Sequence, residues 1–199
     1  MSNNKKPIYN EEQVEKLASH IKAIIELLGE DPEREGLLKT PQRAAKALID
    51  NTSGYDSNAD QLIKQALFAH EGDEMVIVKD IEFYSLCEHH ILPFYGTISI
   101  GYIPNGEIVG LSKLARVVET FARRLQVQER LTSQVCQAVA QNIKNKGVIV
   151  VCNAAHMCMK MRGIEKQATT TATMQYCGEF EKVELQNQFF NLLNTKKEV

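Results

Sequence analysis

Two short segments of the chain are dense in side chains that bind soft metal ions. The first is Cys87-Glu88-His89-His90, and the second is His156-Met157-Cys158. A Cys-x-x-His spacing in a tight turn directs a thiol and an imidazole at a single zinc ion. A structural zinc has four protein ligands, whereas a catalytic zinc usually has three and retains a water molecule. Three ligands with two further histidines therefore favour a catalytic zinc over a structural one.

The predicted metal ligands are Cys87, His90 and Cys158, and the remaining histidines are His89 and His156. Adjacent side chains of an extended segment point to opposite sides, so His89 can address a substrate while His90 binds the metal. Imidazole titrates near neutral pH and can both give and accept a proton. Cysteine is also a common buried hydrophobic residue, but two ligand-rich segments are less easily explained in that way.

A fourth protein ligand would make the predicted site structural. If the strand that contains Cys152 continues through Cys158, roughly 20 Å separates these two residues, which is too far for one ion. His156 is then the only nearby candidate for a fourth ligand. The same extended strand would place alternate side chains on one face, namely His156, Cys158, Lys160 and Arg162.

Length and composition limit the classes of protein to consider. The 199 residues suit one domain, or one domain with an appendage, and 44% of them are hydrophobic. A net charge of -2 and a pI near 6.2 argue against nucleic acid as the main partner and leave a small anion possible. No apolar run approaches the length of a membrane span, and Met1 to Gln13 lacks the apolar core of a signal peptide. We expect a cytoplasmic protein without membrane association.

The cysteine count agrees with that compartment. Five cysteines without an export signal fit reduced thiols and metal binding better than a disulfide framework. We do not expect disulfides from Cys136, Cys152 or Cys177, whose roles the sequence leaves open.

The first third of the chain is predicted to be helical. Apolar residues at helical spacing predict a helix from Glu11 to Leu28, which Gly29 would end. Thr40-Pro41 predicts the N-cap and first position of a second helix. A short third helix is expected from Asn58 to Leu67. We assign residues 1–73 to this N-terminal helical region and residues 74–199 to a catalytic domain.

The pattern changes to strands and helices in a definite order after residue 74. The predicted elements are a strand of two stretches at 75–78 and 81–86, a strand at 95–103, helices at 112–125 and 128–144, strands at 148–161 and 168–176, and a helix at 183–193. Ser112 is expected to cap the first of these helices, and Gly147 to end the second. This order favours an α+β fold with an antiparallel sheet covered by helices on one face. Its open edges and uncovered face predict closure into a homo-oligomeric barrel.

Several polar residues could bind a substrate. Ser112 and Lys113, with Arg116 one turn later, could hold a phosphate chain at a helix N-terminus, although a capped helix with a solvated basic face is the more common explanation of such residues. Glu129 opens another helix, where an acid is expected from the helix dipole alone. A carboxylate there could also accept two parallel hydrogen bonds from a guanine edge. The spacing leaves these alternatives open.

Four sequence motifs together resemble those of the GTP cyclohydrolase I family. They are Cys87-Glu88-His89-His90, Gly110-Leu111-Ser112-Lys113, the segment from Gln126 to Thr132, and His156-Met157-Cys158-Met159 with Met161-Arg162-Gly163. The resemblance runs from about Val14 to Tyr176, includes Thr40-Pro41-x-Arg43, and breaks no motif position. It implies the tunnelling fold, in which a helix pair is inserted between two strand pairs. It also implies a homodecamer with active sites at subunit junctions.

The resemblance further implies an activity and a role for each motif residue. Water activated by Zn²⁺ would attack carbon 8 of the guanine of GTP, and the products would be formate and 7,8-dihydroneopterin triphosphate, the first step of pterin and tetrahydrofolate biosynthesis. His156 would protonate the imidazole nitrogen, with His89 assisting. Gln128 and Glu129 would bind the guanine edge. The triphosphate would be held by Arg43, Ser112, Lys113, Arg116 and Arg162.

Other protein classes remain as alternatives. One is a nucleotide-binding module in which the zinc is structural, and this requires a fourth protein ligand. Another is the nitrile reductases of queuosine synthesis, which share the tunnelling fold but use a cysteine nucleophile without zinc. The zinc-dependent nucleobase deaminases are disfavoured because their His-x-Glu and Pro-Cys-x-x-Cys pattern is absent from the chain.

Overall fold

A computed structural model describes residues 9–195 of the chain. The chain divides into two units, the first reaching Ser53 and the second beginning at Gly54. The boundary expected from the sequence between residues 73 and 74 remains a prediction. Among the described residues, no helix has both the length and the apolar character needed to cross a membrane.

The first unit is built on two helices, α1 (Glu11–Leu27) and α2 (Thr40–Asn51). The Asn10 side chain caps α1 by accepting a hydrogen bond from the backbone N–H of Gln13 at 3.2 Å. The helices bury a small apolar cluster that includes Val14, Ala18 and Ala45. The predicted N-cap of α2 is wrong by one residue. Lys39 occupies that position without a side-chain hydrogen bond, so Thr40 is already helical.

The second unit alternates strands and helices in the predicted order, with three additional short strands. Its elements are α3 (Ala59–Lys64), β1 (Leu67–Ala69), β2 (Val76–Cys87), β3 (Pro93–Pro104), β4 (Glu107–Val109), α4 (Leu111–Ala122), β5 (Leu125–Gln126), α5 (Gln128–Asn142), β6 (Asn145–His156), α6 (Met157–Lys160), β7 (Thr171–Gly178) and α7 (Val183–Leu193). The α+β class is therefore confirmed. The sequence missed β1 and β4, which pair with each other, because three-residue strands carry too few positions for a recognisable alternation.

The main sheet has the strand order β5-β2-β3-β6-β7 and is antiparallel except for the short pair of β2 with β5. Helices α4 and α5 pack on one face and bury Leu114, Val118, Leu131 and Val135 against the strands. The expectation that the opposite face is uncovered is wrong in part. A second apolar cluster there includes Phe189 of α7, which is fully buried.

Two helix boundaries near the site differ from the predictions. Gly110 is the N-cap of α4, so Ser112 is a first-turn residue and not the cap. Gly147 does not end α5, because that helix stops at Asn142 and Gly147 lies inside β6. A Cβ atom at Gly147 would lie 2.8 Å from the carbonyl oxygen of Cys177. Glycine at this position is therefore explained by close strand contact and not by a helix C-cap.

The predicted continuation of the 148–161 strand through Cys158 is also wrong. Strand β6 ends at His156, and residues 157–160 form the short helix α6. The face expected to combine His156, Cys158, Lys160 and Arg162 therefore does not exist. Methionine and lysine are good helix formers, so the local preference favours this turn over a further extended residue. The change of direction at His156 is what allows Cys158 to approach β2.

Glycine at position 96 is required by the contact between β3 and β6. A Cβ atom there would lie 1.9 Å from the carbonyl oxygen of Asn153 and 2.8 Å from Cα of Ala154. We expect Gly96→Ala to lower the free energy of unfolding by about 3 kcal/mol, because the backbone cannot yield without breaking strand pairing. Urea unfolding would measure this loss. Gly110→Ala is the matched control, since its Cβ would meet only an ordinary contact at 3.5 Å, and an equal loss in both variants would contradict the explanation.

Candidate active site

The turn from Cys87 to His90 begins where β2 ends. The backbone N–H of Cys87 donates to the carbonyl of Leu92 at 2.9 Å, and that of Ile91 donates to the carbonyl of Cys87 at 2.8 Å. Ile91 has a φ of 53°, a left-handed conformation that is unfavourable for a β-branched residue. The hydrogen bonds hold this strained turn closed. Backbone strain is thus located next to the predicted metal ligands.

The structure brings the three predicted ligands together. One ligand atom from each of Cys87, His90 and Cys158 lies within 4.8 Å of the other two. Cys87 Sγ is 3.9 Å from Nδ1 of His90, close to the separation of about 3.6 Å that tetrahedral zinc imposes on a sulfur and a nitrogen ligand. Two thiols and an imidazole form a donor set that suits zinc. Cys87 is buried, Cys158 is half-buried and His90 is exposed.

The surroundings of the Cys158 thiol raise its pKa. Burial raises the pKa of Cys158, the neighbouring Cys87 thiol raises it further, and the charge of Arg162 partly opposes this shift. In the metal-free chain, the Cys158 thiol therefore retains its proton near neutral pH. Binding of a metal ion must displace that proton, so metal affinity should increase with pH.

A cavity of about 230 Å³ opens beside the three ligands. Its lining includes four further residues that the sequence predicted for the site, namely His89, Gln128, Glu129 and His156. Strand β5 and the start of α5 supply one wall, and the end of β6 supplies another. The predicted metal, proton-transfer and base-binding residues therefore share one cavity.

His156 is held on two sides. Its Nε2 lies 2.8 Å from Oε1 of Gln128, and its ring stacks on Phe94 with centroids 4.8 Å apart and planes inclined by 3°. The amide nitrogen of Gln128 donates to the carbonyl oxygens of Cys152 and Thr171 at 3.1 and 3.0 Å. Carbonyl oxygens only accept, so Oε1 of Gln128 must be the atom that faces His156, and Nε2 of His156 carries a proton. Nδ1 is then the ring nitrogen left for a substrate.

Burial lowers the pKa of His156 below its ordinary value, and the nearby charge of Glu129 partly opposes this effect. The side chain of Gln128 is almost fully buried, with 1% of its surface exposed. Its hydrogen bonds to the protein therefore occupy the polar atoms that the sequence assigned to a guanine edge. Glu129, the next residue, is exposed and lines the cavity.

The predicted phosphate-binding residues do not line this cavity. Ser112 and Arg116 are exposed on α4, and Lys113 donates to Oε1 of Gln65 at 3.0 Å. Arg162 is exposed just beyond α6, near enough to Cys158 to influence its pKa. Arg43 lies exposed on α2 in the first unit.

Two features of the site were missed from the sequence. Phe94 is one of seven phenylalanines, and no spacing distinguished it as a partner of His156. Nor did the sequence distinguish Thr173 of β7 as a partner of Gln128, yet its hydroxyl accepts from the amide of Gln128 at 3.2 Å and lies 2.7 Å from the hydroxyl of Thr132. Both depend on the pairing of β3, β6 and β7, which local sequence does not specify.

We expect Gln128→Ala to destabilise the chain by about 2–4 kcal/mol, because it leaves buried carbonyl groups and one ring nitrogen without partners. Urea unfolding of the metal-free protein measures this loss. Gln137→Ala on the same helix is the control, since Gln137 is exposed and its amide donates a hydrogen bond to the exposed side of the same helix, at Ser133. Similar losses in both variants would show that the buried network contributes little.

The protein has an α+β fold, a mainly antiparallel sheet and a Cys-His-Cys group beside an open cavity. These features define its class as a candidate metal-dependent enzyme. The family profile of GTP cyclohydrolase I matches residues 17–194 of the chain. The chain belongs to the GTP cyclohydrolase I family.

Individual relatives agree with that assignment over most of their length. GTP cyclohydrolase 1 of Porphyromonas gingivalis is 50% identical over 190 residues, covering 96% of this chain and 98% of the relative. The Dictyostelium discoideum protein of the same name is 51% identical over 191 residues, with 96% and 82% covered. That of Campylobacter jejuni subsp. jejuni serotype O:6 is 53% identical over 180 residues, with 90% and 95% covered.

One solved structure, of the archaeosine synthase QueF-Like in the apo form, aligns with 54% of this chain and 97% of its own. Its TM-score is 0.44 and its sequence identity is 16%, values too low to support a conclusion about fold or function.

Proposed function

We propose that the chain converts GTP and water to 7,8-dihydroneopterin triphosphate and formate at a zinc ion held by Cys87, His90 and Cys158. The main support is that this ligand group opens into a cavity also lined by Glu129 and two histidines. Family membership supports GTP as the substrate. Zinc is favoured over other metals because two thiols and an imidazole are its typical protein donors.

Bound zinc would supply a Lewis acid that makes hydroxide available near neutral pH. Among the described residues, the ligand group contains three side chains, and His156, the other histidine considered as a ligand, is not one of them. This arrangement favours an open catalytic site over the structural zinc of a binding module.

The cavity walls suggest how the nucleotide is oriented. The exposed carboxylate of Glu129 would accept hydrogen bonds from the ring N–H and exocyclic amine of guanine, with Gln128 beside it as the adjacent residue of the same motif. Four residues that lie outside the cavity of the single chain would hold the triphosphate at a subunit junction, by charge and by the N-terminus of α4, namely Ser112, Lys113, Arg116 and Arg162. Arg43 joins this set only through its place in the Thr40-Pro41-x-Arg43 motif.

His156 and His89 would move the protons of the multistep reaction. Because Gln128 holds the proton at Nε2 of His156, we propose that Nδ1 is the atom that exchanges a proton with the imidazole ring of guanine. Stacking on Phe94 keeps the imidazole plane fixed during that exchange. His89 would assist from the solvent-exposed side of the cavity.

The tunnelling fold, the homodecamer and the cytoplasmic location are part of the same proposal. Strand β7 pairs only with β6, and β2 pairs with β5 only at Leu86 and Cys87, so the described sheet has two largely open edges. An open edge offers unpaired backbone groups with which a strand of another chain can pair, which supports an assembly of copies. The cysteines are all free thiols, as expected in a reducing compartment.

The decisive experiment is a GTP incubation in which formate is measured with and without a strong zinc chelator. Stoichiometric formate that is lost with chelator and restored by zinc supports the proposal. Sustained formate release by metal-free protein would refute the metal mechanism. A cobalt-substituted sample discriminates the alternative, because a closed four-ligand site has no bound water whose titration changes the spectrum.

A further inference from the structure

A single guanidinium group ties the Cys87–His90 turn to helix α5. The carboxylate of Glu88, within that turn, accepts a hydrogen bond from Nη2 of Arg130. The same Nη2 donates to the carbonyl of Leu125 at 3.1 Å, and Nε donates to Oε1 of Gln126 at 2.8 Å. We call Arg130 and these three acceptors the Arg130 cluster. It connects the turn, β5 and the first turn of α5.

The cluster is anchored by a buried side chain. Gln126 is 1% exposed, and its amide nitrogen donates to the carbonyl of Phe121 at 3.0 Å and to Oε1 of Gln134 at 2.7 Å. Its amide oxygen is therefore left for Arg130. The backbone N–H of Glu88 also donates to the carbonyl of Gln126 at 2.9 Å. A displaced guanidinium would leave a buried acceptor unpaired, so the position of Arg130 is strongly restricted.

The ion pair of the cluster lies outside the active-site cavity, whereas Gln126 lines both that cavity and the hollow that contains the ion pair. Cys87 and Glu129 line the cavity, whereas their chain neighbours Glu88 and Arg130 line a separate surface hollow together with Tyr55. Neither Glu88 nor Arg130 is a predicted metal ligand or base-binding residue. An ordinary exposed ion pair contributes little to stability, but this pair joins the two segments that carry the metal and the guanine edge.

We propose that Arg130 is a positioning residue that, through Glu88 and Gln126, fixes the distance between the metal-ligand turn and Glu129. This inference rests on the proposed function, in which Glu129 holds the base while the metal activates water. A base held by α5 can react only if the turn keeps the metal next to carbon 8. Misplacement by about 1 Å can cost about 10²-fold in rate.

The test compares Glu88→Gln, Arg130→Met, Arg130→Lys and the double variant Glu88→Gln/Arg130→Met. We expect either of the first two to lower kcat by about ten- to a hundred-fold, as for other residues that orient metal ligands, with KM for GTP changed much less. Arg130→Lys retains the positive charge but lacks the planar guanidinium, so its kcat should lie between those of wild type and Arg130→Met. The double variant should be no worse than the more impaired single variant, because both changes break one connection.

A second measurement is independent of turnover. Competition with a chromophoric chelator gives the zinc dissociation constant, which we expect to rise by about ten-fold in Glu88→Gln and Arg130→Met. Glu119→Gln is the control, since Glu119 pairs with Arg123 on the exposed side of α4 at 3.6 Å, and it should match wild type. Urea unfolding identifies any variant whose losses come from instability. If Arg130→Met does not fold, Glu88→Gln provides the test, because this substitution is isosteric and surface-exposed.

The outcomes separate this inference from the proposed function. Suppose that the wild-type enzyme is active and that Glu88→Gln and Arg130→Lys both keep its kcat and its zinc affinity. This result would overturn the positioning role and leave the proposed function intact. Losses that add in the double variant would also overturn it, because independent effects do not arise from one connection. If wild-type protein with bound zinc released no formate, the proposed function would fail, and the zinc competition would still test the Arg130 cluster.

Discussion

Cys158→Ser should lower the rate of formate release from GTP by roughly 10³-fold or more. A catalytic metal contributes several kcal/mol of stabilisation, and each step of about 1.4 kcal/mol changes the rate ten-fold. Cys158 is the best ligand to replace because it is half-buried, whereas Cys87 lies in the core. The change therefore removes a metal ligand with little loss of packing. Zinc content by elemental analysis and formate release are measured on the same sample.

Cys177→Ser is the matched control for this prediction. Cys177 is also a half-buried free thiol packed against the main core, but it lies on β7 and belongs to no metal-ligand group among the described residues. It should retain both zinc and activity. Full activity in Cys158→Ser, or equal losses in the two variants, would show that the Cys-His-Cys group is not the catalytic metal site.

The local parts of the site could be predicted from sequence because they depend on spacing within one turn. The Cys-x-x-His segment needs only a tight turn to bring Cys87 and His90 together, and the structure forms that turn at the end of β2. The long elements were likewise predictable, since alternation and helical spacing persist over many residues. Helix α7, at Val183–Leu193, has the predicted bounds.

The remaining features depend on contacts between distant segments. The end of β6 at His156 was missed because the helix preference of residues 157–160 extends over only four positions, which is too few to exclude an extended strand. The inward orientation of Gln128 depends on carbonyl groups of β6 and β7, which only strand pairing brings close. The covering of the second sheet face by Phe189 was missed for the same reason, although Gly101 provides the space: a Cβ there would lie 2.7 Å from that ring.

Glu129→Gln should lower kcat/KM for GTP by about 10²–10³-fold while leaving zinc content unchanged. A carboxylate can accept from both the ring N–H and the exocyclic amine of guanine, whereas an amide offers one acceptor and turns a donor toward a donor. Hydrogen bonds to a charged group contribute about 1.5–3 kcal/mol each, which gives this magnitude. Glu129 is exposed and opens α5, so the substitution should not disturb the core.

The preference for GTP over a related nucleotide tests this role of Glu129 more directly than the rate with GTP alone. Inosine triphosphate lacks the exocyclic amine, so wild-type protein should prefer GTP strongly and Glu129→Gln should lose most of that preference. Glu184→Gln is the matched control, because Glu184 is also an exposed acid in the first turn of a helix, α7. If Glu129→Gln kept the wild-type preference for GTP, its carboxylate would be explained by the helix dipole alone, and base recognition would have to be assigned to other groups of the cavity.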